Sequence, residues 1–317
     1  MNQAKELKDR GVKNNLSIKA LILGSGNIGT DLALRMKNNQ RFEVVGLVGR
    51  RPESEGLLRA KENRIPVFSD GAFQVLTGKT TFNVVFDATS AADHLENWKL
   101  VSGKKCLVID LTPSQLGKPM VPILMGRHGS FSLDNQEGTQ RNFSMITCGG
   151  QSSAAIIYSL QKASKRIREV EVSSSIASRS AGLATRRNID NYIAATEALA
   201  SSISGADKAK AILVLNPTDP PVMMRTTVTV NATEMEITAA NEVLGVMEKA
   251  MQEFVPGYRI VVPIHSQSKD VYSATAIVEG AGFYLPKFAG NLDVINAAAV
   301  ETANRLFDSH FGDFFEQ

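Results

Sequence analysis

Ile18-Lys19-Ala20-Leu21-Ile22-Leu23-Gly24-Ser25-Gly26-Asn27-Ile28-Gly29 decides the fold: a short apolar run, three glycines spaced GxGxxG, then a stretch carrying Leu32, Leu34 and Met36. That order predicts a strand, a tight turn and an amphipathic helix, the opening unit of a dinucleotide-binding sheet. Each glycine has its own task. The first makes the turn, the second lets a pyrophosphate reach the backbone at the helix N-terminus, and the third lets the helix pack on the strand. Gly24, Ser25, Gly26, Asn27, Ile28 and Gly29 are therefore candidate cofactor-binding residues, against the plain alternative of a structural glycine turn.

Downstream, Phe42–Val48 reads as a second strand ending at Gly49-Arg50-Arg51. In such a unit the residue past the second strand meets the adenosine ribose, where an acid favours the free 2′-hydroxyl of NAD and an arginine accommodates the 2′-phosphate of NADP. Arg50 and Arg51 thus favour NADP(H) while leaving NAD open. Further apolar runs at Val67-Phe68, Asn83–Asp87 and Cys106–Leu111 alternate with helical stretches. The pattern predicts an α/β fold with a Rossmann-like, doubly wound parallel sheet whose ligands sit beyond the carboxyl ends of the strands. Asp87-Ala88-Thr89-Ser90 and Asp110-Leu111-Thr112-Pro113 fall on that side, with Thr89 a candidate cofactor contact.

The chemistry points to Thr147-Cys148-Gly149-Gly150-Gln151, between an apolar strand and a helix expected to begin near Ser152. A cysteine at a helix N-terminus meets free backbone N–H groups and a positive dipole, which lower a thiol pKa from about 8.5. Gly149 and Gly150 leave room for a carbonyl and supply N–H donors to an oxyanion. The competing reading is a small buried hydrophobe. After the helix striped by Ile156, Leu160, Ala163 and Ile167, a second domain with a mixed sheet and helices is expected. Within it Ser180-Ala181-Gly182-Leu183-Ala184-Thr185-Arg186-Arg187-Asn188 is a small-residue loop with paired arginines, suited to gripping phosphate or carboxamide, or else a solvated basic turn.

Composition sets the outer bounds. A chain of 317 residues can fill two cores, and 43% hydrophobic with 21% charged residues is ordinary for a globular protein. The net charge of +3 gives no indication of a nucleic-acid partner. Two cysteines, Cys106 and Cys148, fit a reducing cytoplasm rather than a disulfide framework. No apolar run reaches the roughly 18 residues of a membrane span, the start lacks a signal-peptide core, and no clustered ligands call for a metal. His94, His128, His265 and His310 lie outside the motifs and read as surface or packing residues. The expected organisation is a flexible tail over 1–16, a dinucleotide-binding domain over 17–148, a catalytic and dimerisation domain over 149–288, and a C-terminal segment over 289–317 whose helix packs back on the first domain.

Six stretches then carry a resemblance: Ser25–Asp31, Phe86–Ala91, Ile109–Pro113, Thr147–Gln151, Val255–Arg259 and Ala289–Asp293. In this order they resemble the acylating acetaldehyde dehydrogenases, CoA-dependent enzymes of meta-cleavage pathways often partnered with 4-hydroxy-2-oxovalerate aldolase. The resemblance runs from about residue 17 to the C-terminus. It implies that Cys148 carries an acyl-thioester, that CoA is the co-substrate of a short-chain aldehyde, and that Ser25 to Ile28, Ser180 to Asn188 and Asn291 contact the nicotinamide cofactor. A homodimer through the second sheet is expected, while the shorter stretch between Arg259 and Glu279 leaves the family's aldolase partnership open. Three departures stand out: Leu183-Ala184 replace the family's Pro-Gly, Arg51 replaces an acid, and Thr226 stands where many relatives have an aspartate proposed to help activate the thiol. Two alternatives stay open, a phosphate-using semialdehyde dehydrogenase and a non-catalytic nucleotide-binding protein of the same fold.

Overall fold

A computed structural model of the chain describes residues 17–129 and 141–309. The expected tail over 1–16, residues 130–140, and His310 with the rest of the C-terminal end lie outside these. Seven strands form the first sheet: β1 (Ile18–Leu23), β2 (Phe42–Val48), β3 (Val67–Phe68), β4 (Val84–Asp87), β5 (Leu107–Asp110), β6 (Lys118–Met120) and β7 (Asn142–Met145). Their order is β3-β2-β1-β4-β5-β7-β6, and every pairing is parallel. β1 shows why such strands read as unbroken apolar runs. Ala20 and Ile22 enter one core cluster while Leu21 and Leu23 enter another on the opposite face. Helices α1 (Asn27–Lys37), α2 (Glu55–Glu62), α3 (Ala72–Thr77) and α4 (Ala91–Val101) cover the two faces.

The second sheet contains β8 (Arg166–Ala177), β9 (Lys208–Asn216), β10 (Met224–Thr233), β11 (Tyr258–Ser268) and β12 (Val271–Val278) in the order β11-β12-β10-β8-β9. β8 and β9 run parallel and the other pairs antiparallel, so the sheet is mixed. In β10 alternate residues Met224, Thr226, Val228, Val230 and Ala232 are buried, the period-2 signature of a sheet covered on one face. Packed in that layer are α5 (Cys148–Lys162), α7 (Ile189–Ser204) and α8 (Ile237–Gln252), while the short α6 (Leu183–Arg187) leads into α7.

The last helix, α9 (Gly290–Asp308), joins both cores: Val294 and Ala297 belong to the second cluster, whereas Ala298, Ala299, Ala303 and Leu306 belong to that of the first sheet. Polar anchors fix its start. Arg35 of α1 forms a buried ion pair with Asp293, Asn296 donates to Asp31 at 2.8 Å, and the Tyr284 and Leu285 N–H groups donate to the same Asp31 carboxylate.

Candidate active site

Cys148 is the first residue of α5, four residues earlier than the helix start expected near Ser152. The reason is a cap: Thr147 Oγ1 accepts the Gly150 N–H at 3.0 Å, which brings both glycines into the first helical turn. Thr147 is itself held by Thr196 of α7, hydroxyl to hydroxyl at 2.6 Å. Gly150 is therefore not the oxyanion donor that the sequence suggested, because its N–H serves the cap. The N–H groups of Cys148 and Gly149 instead lie beside the sulfur.

The expected fall in thiol pKa is also reversed. Burial pushes the Cys148 thiol up to about 11, against the lowering effect of the Tyr192 hydroxyl and the Gly149 and Cys148 N–H groups. Removing a thiolate from water outweighs what the helix terminus returns. The phenol oxygen of Tyr192 sits 3.8 Å from Sγ. Burial first, then the neighbouring Cys148, keeps that phenol far above its ordinary range and hence neutral. Behind it stands a row of buried hydroxyls. Tyr192 bonds to Ser174 of β8, Ser174 Oγ lies 3.2 Å from Thr226 Oγ1 of β10, Thr226 lies 2.7 Å from Ser152 Oγ, and Ser152 donates to the Gly149 carbonyl at 3.2 Å.

A cavity of about 450 Å³ opens on Cys148. Among the sequence-based candidates it gathers Ile28, Cys148, Thr185, Asn188 and Asn291. Asn291 is buried, and its Oδ1 has no hydrogen-bond partner, a polar atom awaiting a donor such as a carboxamide. The remaining wall includes Thr112 and Pro113 after β5, which the sequence had placed on the ligand side of the sheet, and residues that it did not single out: Lys118 of β6, and Tyr192, Ala195, Ala198, Leu199 and Ser202 of α7. The only signal for α7 was its spacing, which puts positions 195, 198, 199 and 202 on one face.

The other candidates stand outside that wall. Gly24 has φ +100°, and a Cβ there would meet the Ala88 carbonyl, while space beside Gly26 is open, as the glycine reading requires. A Cβ at Gly29 would run into the Gly24 carbonyl. Asn27 starts α1, and Ser25 Oγ is 3.1 Å from Ser54 Oγ. Arg50 and Arg51 are exposed just beyond β2. Thr89 is tied through its N–H and hydroxyl to Asp87. Asp87 and Asp110 close β4 and β5 at the carboxyl ends, as expected, and turn their side chains inward around buried His94. Ser180 donates to the Ala177 carbonyl, Ala181 is buried and Gly182 exposed. Leu183 and Ala184 open α6. Arg186, expected to grip a ligand, is occupied by the carbonyls of Ala181 and Ser178 and by the Ser178 hydroxyl, whereas Arg187 is exposed.

Residues 148–286 match the family model described as the dimerisation domain of prokaryotic acetaldehyde dehydrogenase. An acetaldehyde dehydrogenase of Burkholderia thailandensis is 43% identical over 295 residues, covering 92% of this chain and 96% of the relative. One from Geobacillus stearothermophilus is 41% identical, covering 91% and 96%. The chain belongs to the acetaldehyde dehydrogenase family.

This member of the acetaldehyde dehydrogenase family shares its architecture with more distant solved structures. Aspartate semialdehyde dehydrogenase from Candida albicans, with NADP, superposes with a TM-score of 0.65 at 12% identity, covering 92% of this chain and 99% of that one. The second such enzyme of Vibrio cholerae gives 0.60 at 12% identity, covering 93% and 99%. The α/β fold expected from the sequence, with its parallel sheet and second mixed sheet, is thus the fold found. Among the described residues of this acetaldehyde dehydrogenase relative, no helix is long and apolar enough to cross a membrane, and no three metal-ligating side chains gather.

Proposed function

We propose that this chain is a CoA-acylating aldehyde dehydrogenase, interconverting a short-chain aldehyde, CoA and NAD(P)+ with acyl-CoA and NAD(P)H. The observation that carries the reading is the position of Cys148: its thiol lies on one apolar cavity with Ile28 of the glycine-rich turn and Asn291 of α9. The aldehyde carbon is attacked by Sγ, its carbonyl electrons move to oxygen, and the Cys148 and Gly149 N–H groups receive that oxyanion. Such a donor typically contributes about 3 kcal/mol. A nicotinamide dinucleotide, when bound, supplies the hydride acceptor that turns the cysteine adduct into a thioester. The residues suited to hold it are Gly24 to Gly29, where Gly26 is open, and Asn291, whose Oδ1 lacks a partner. Cys148 then leaves as the thiol of CoA attacks the acyl carbon. The apolar wall keeps water from the thioester in the meantime.

Arg50 and Arg51 favour NADP(H), since guanidinium groups match a 2′-phosphate. The phosphate-using alternative is disfavoured by the histidines: among the described residues none lines the cavity, and His265 bonds to the Pro263 carbonyl and Ser273. The family model's description favours a homodimer through the second sheet, on which Val214 and Val261 stand exposed. A reducing cytoplasm suits the two free cysteines. The decisive assay supplies acetaldehyde, CoA and either NAD or NADP. Acyl-CoA and reduced cofactor are expected, with NADP the better, and Cys148→Ser should abolish turnover while cofactor binding persists. Acyl phosphate formed from inorganic phosphate, with no reaction of CoA, would replace this reading by the semialdehyde dehydrogenase one.

A further inference from the structure

A thiol buried until its pKa is about 11 holds little thiolate near neutrality, so the site needs something that favours the anion. The position where the resemblance expects an activating carboxylate carries Thr226, and its hydroxyl is buried between Ser174 and Ser152. The elements packed around Sγ present neutral groups: Thr147 and Ser152 at the start of α5, Tyr192 and Thr196 of α7, Ser174 of β8 and Thr226 of β10. Among the described residues that line the cavity, Lys118 is the one that carries a charge. Apart from the thiolate of Cys148 acting on the phenol, no charged side chain is among the causes that set the pKa of either group. What does touch Sγ is the Tyr192 hydroxyl, at 3.8 Å.

We propose that Tyr192 is the catalytic residue that stabilises the Cys148 thiolate by donating its phenolic hydrogen to Sγ, with Ser174, Thr226 and Ser152 as positioning residues behind it. The proposal rests on the covalent role of Cys148 given above. In the resting thiol, S–H points at the phenol oxygen and the phenol donates to Ser174. On ionisation the S–H bond breaks and its proton leaves to water through the cavity. The phenol hydrogen then turns to Sγ, and the hydroxyls of Ser174 and Thr226 turn to donate in sequence towards the phenol oxygen. No proton is gained or lost by the hydroxyl row itself, so no buried base is required. Hydroxyl dipoles that can reverse accomplish what a fixed carboxylate would do by taking the proton. A phenol kept neutral by burial is the right donor, since it retains its hydrogen at every working pH.

The test is iodoacetamide alkylation of Cys148 as a function of pH on the full chain without substrate. A hydrogen bond to a charged group contributes about 1.5–3 kcal/mol, so Tyr192→Phe should move the alkylation midpoint up by about one to two pH units. At pH 8 the variant should react roughly tenfold to a hundredfold more slowly. Thr226→Val should give a smaller shift in the same direction, and Thr226→Ser, which keeps the hydroxyl, should restore the original profile. Superimposable profiles for Tyr192→Phe and the unaltered chain would overturn the proposal, as would a Thr226→Ser variant that behaves like Thr226→Val. The CoA-dependent assay separates the two readings. An unaltered chain that oxidises no aldehyde, but whose alkylation still shifts in Tyr192→Phe, would sink the functional reading and leave the thiolate donor in place.

Discussion

Gly149 shows how closely this site is fitted. A methyl group there would run into the Tyr192 hydroxyl and Ser174 Oγ, both of which are pinned in the buried hydroxyl row. Gly149→Ala should therefore lower kcat/KM for aldehyde and CoA by at least about tenfold, through displacement of the phenol rather than loss of fold. Steady-state kinetics beside an unchanged far-ultraviolet dichroism spectrum would check this. The same atoms show what the sequence could reveal. Cys148 and its glycines adjoin one another in the chain, so their placement at a strand-to-helix junction was legible. Tyr192 was not, because it stands 44 residues away on a helix where a tyrosine ordinarily reads as packing. The thiol pKa was misjudged for a related reason: a motif shows the helix terminus but not the depth of burial.

At the scale of elements, His94 of α4 ties three strand ends together. Its Nδ1 lies 3.0 Å from Asp87 of β4, and its Nε2 lies 3.1 Å from Asn142 of β7 and 3.5 Å from Asp110 of β5, all fully or almost fully buried. Burial alone would lower its pKa, but the hydrogen bond that its ring donates to Asp87 and the charges of Asp110 and Asp87 together raise it above 6.5. A histidine whose folded pKa exceeds the unfolded one stabilises fully below the unfolded value, and the benefit fades as pH rises through the folded value. His94→Gln should accordingly cost about 3–5 kcal/mol near pH 5.5, with a smaller deficit near pH 9, as measured by urea unfolding. A cost that grew with pH would contradict the charged pair. The strands of the first sheet as far as β5 were legible as apolar runs, whereas β6 and α7 were not foreseen. Nor were the strand ends and this cluster, since His94 stands 48 residues from Asn142 and the motifs that hold Asp87 and Asp110 do not show where those side chains turn.

Across the whole molecule, two cores share two connections. Cys148 follows the last strand of the parallel sheet and opens a helix of the second core, while α9 contributes side chains to both. The buried Arg35 and Asp293 pair holds α9 against α1. Removing one member of such a pair strands the other, so Arg35→Met should destabilise by about 3–5 kcal/mol and weaken cofactor binding as Asn291 loses its place. Thermal unfolding and cofactor titration would detect both. The fold class was readable because alternating strands and helices leave few topologies. The shared cavity was not readable, since its wall draws on both halves of the chain. One side of that wall is the α7 row of Ala195, Ala198, Leu199 and Ser202, which forms no part of the thiol's hydrogen bonds. Substrate size can thus be adjusted on a single helical face without disturbing the reacting atoms. Ala198→Leu should bar longer aldehydes while acetaldehyde turns over as before, and smaller side chains in that row offer a route to biocatalysts for bulkier thioesters.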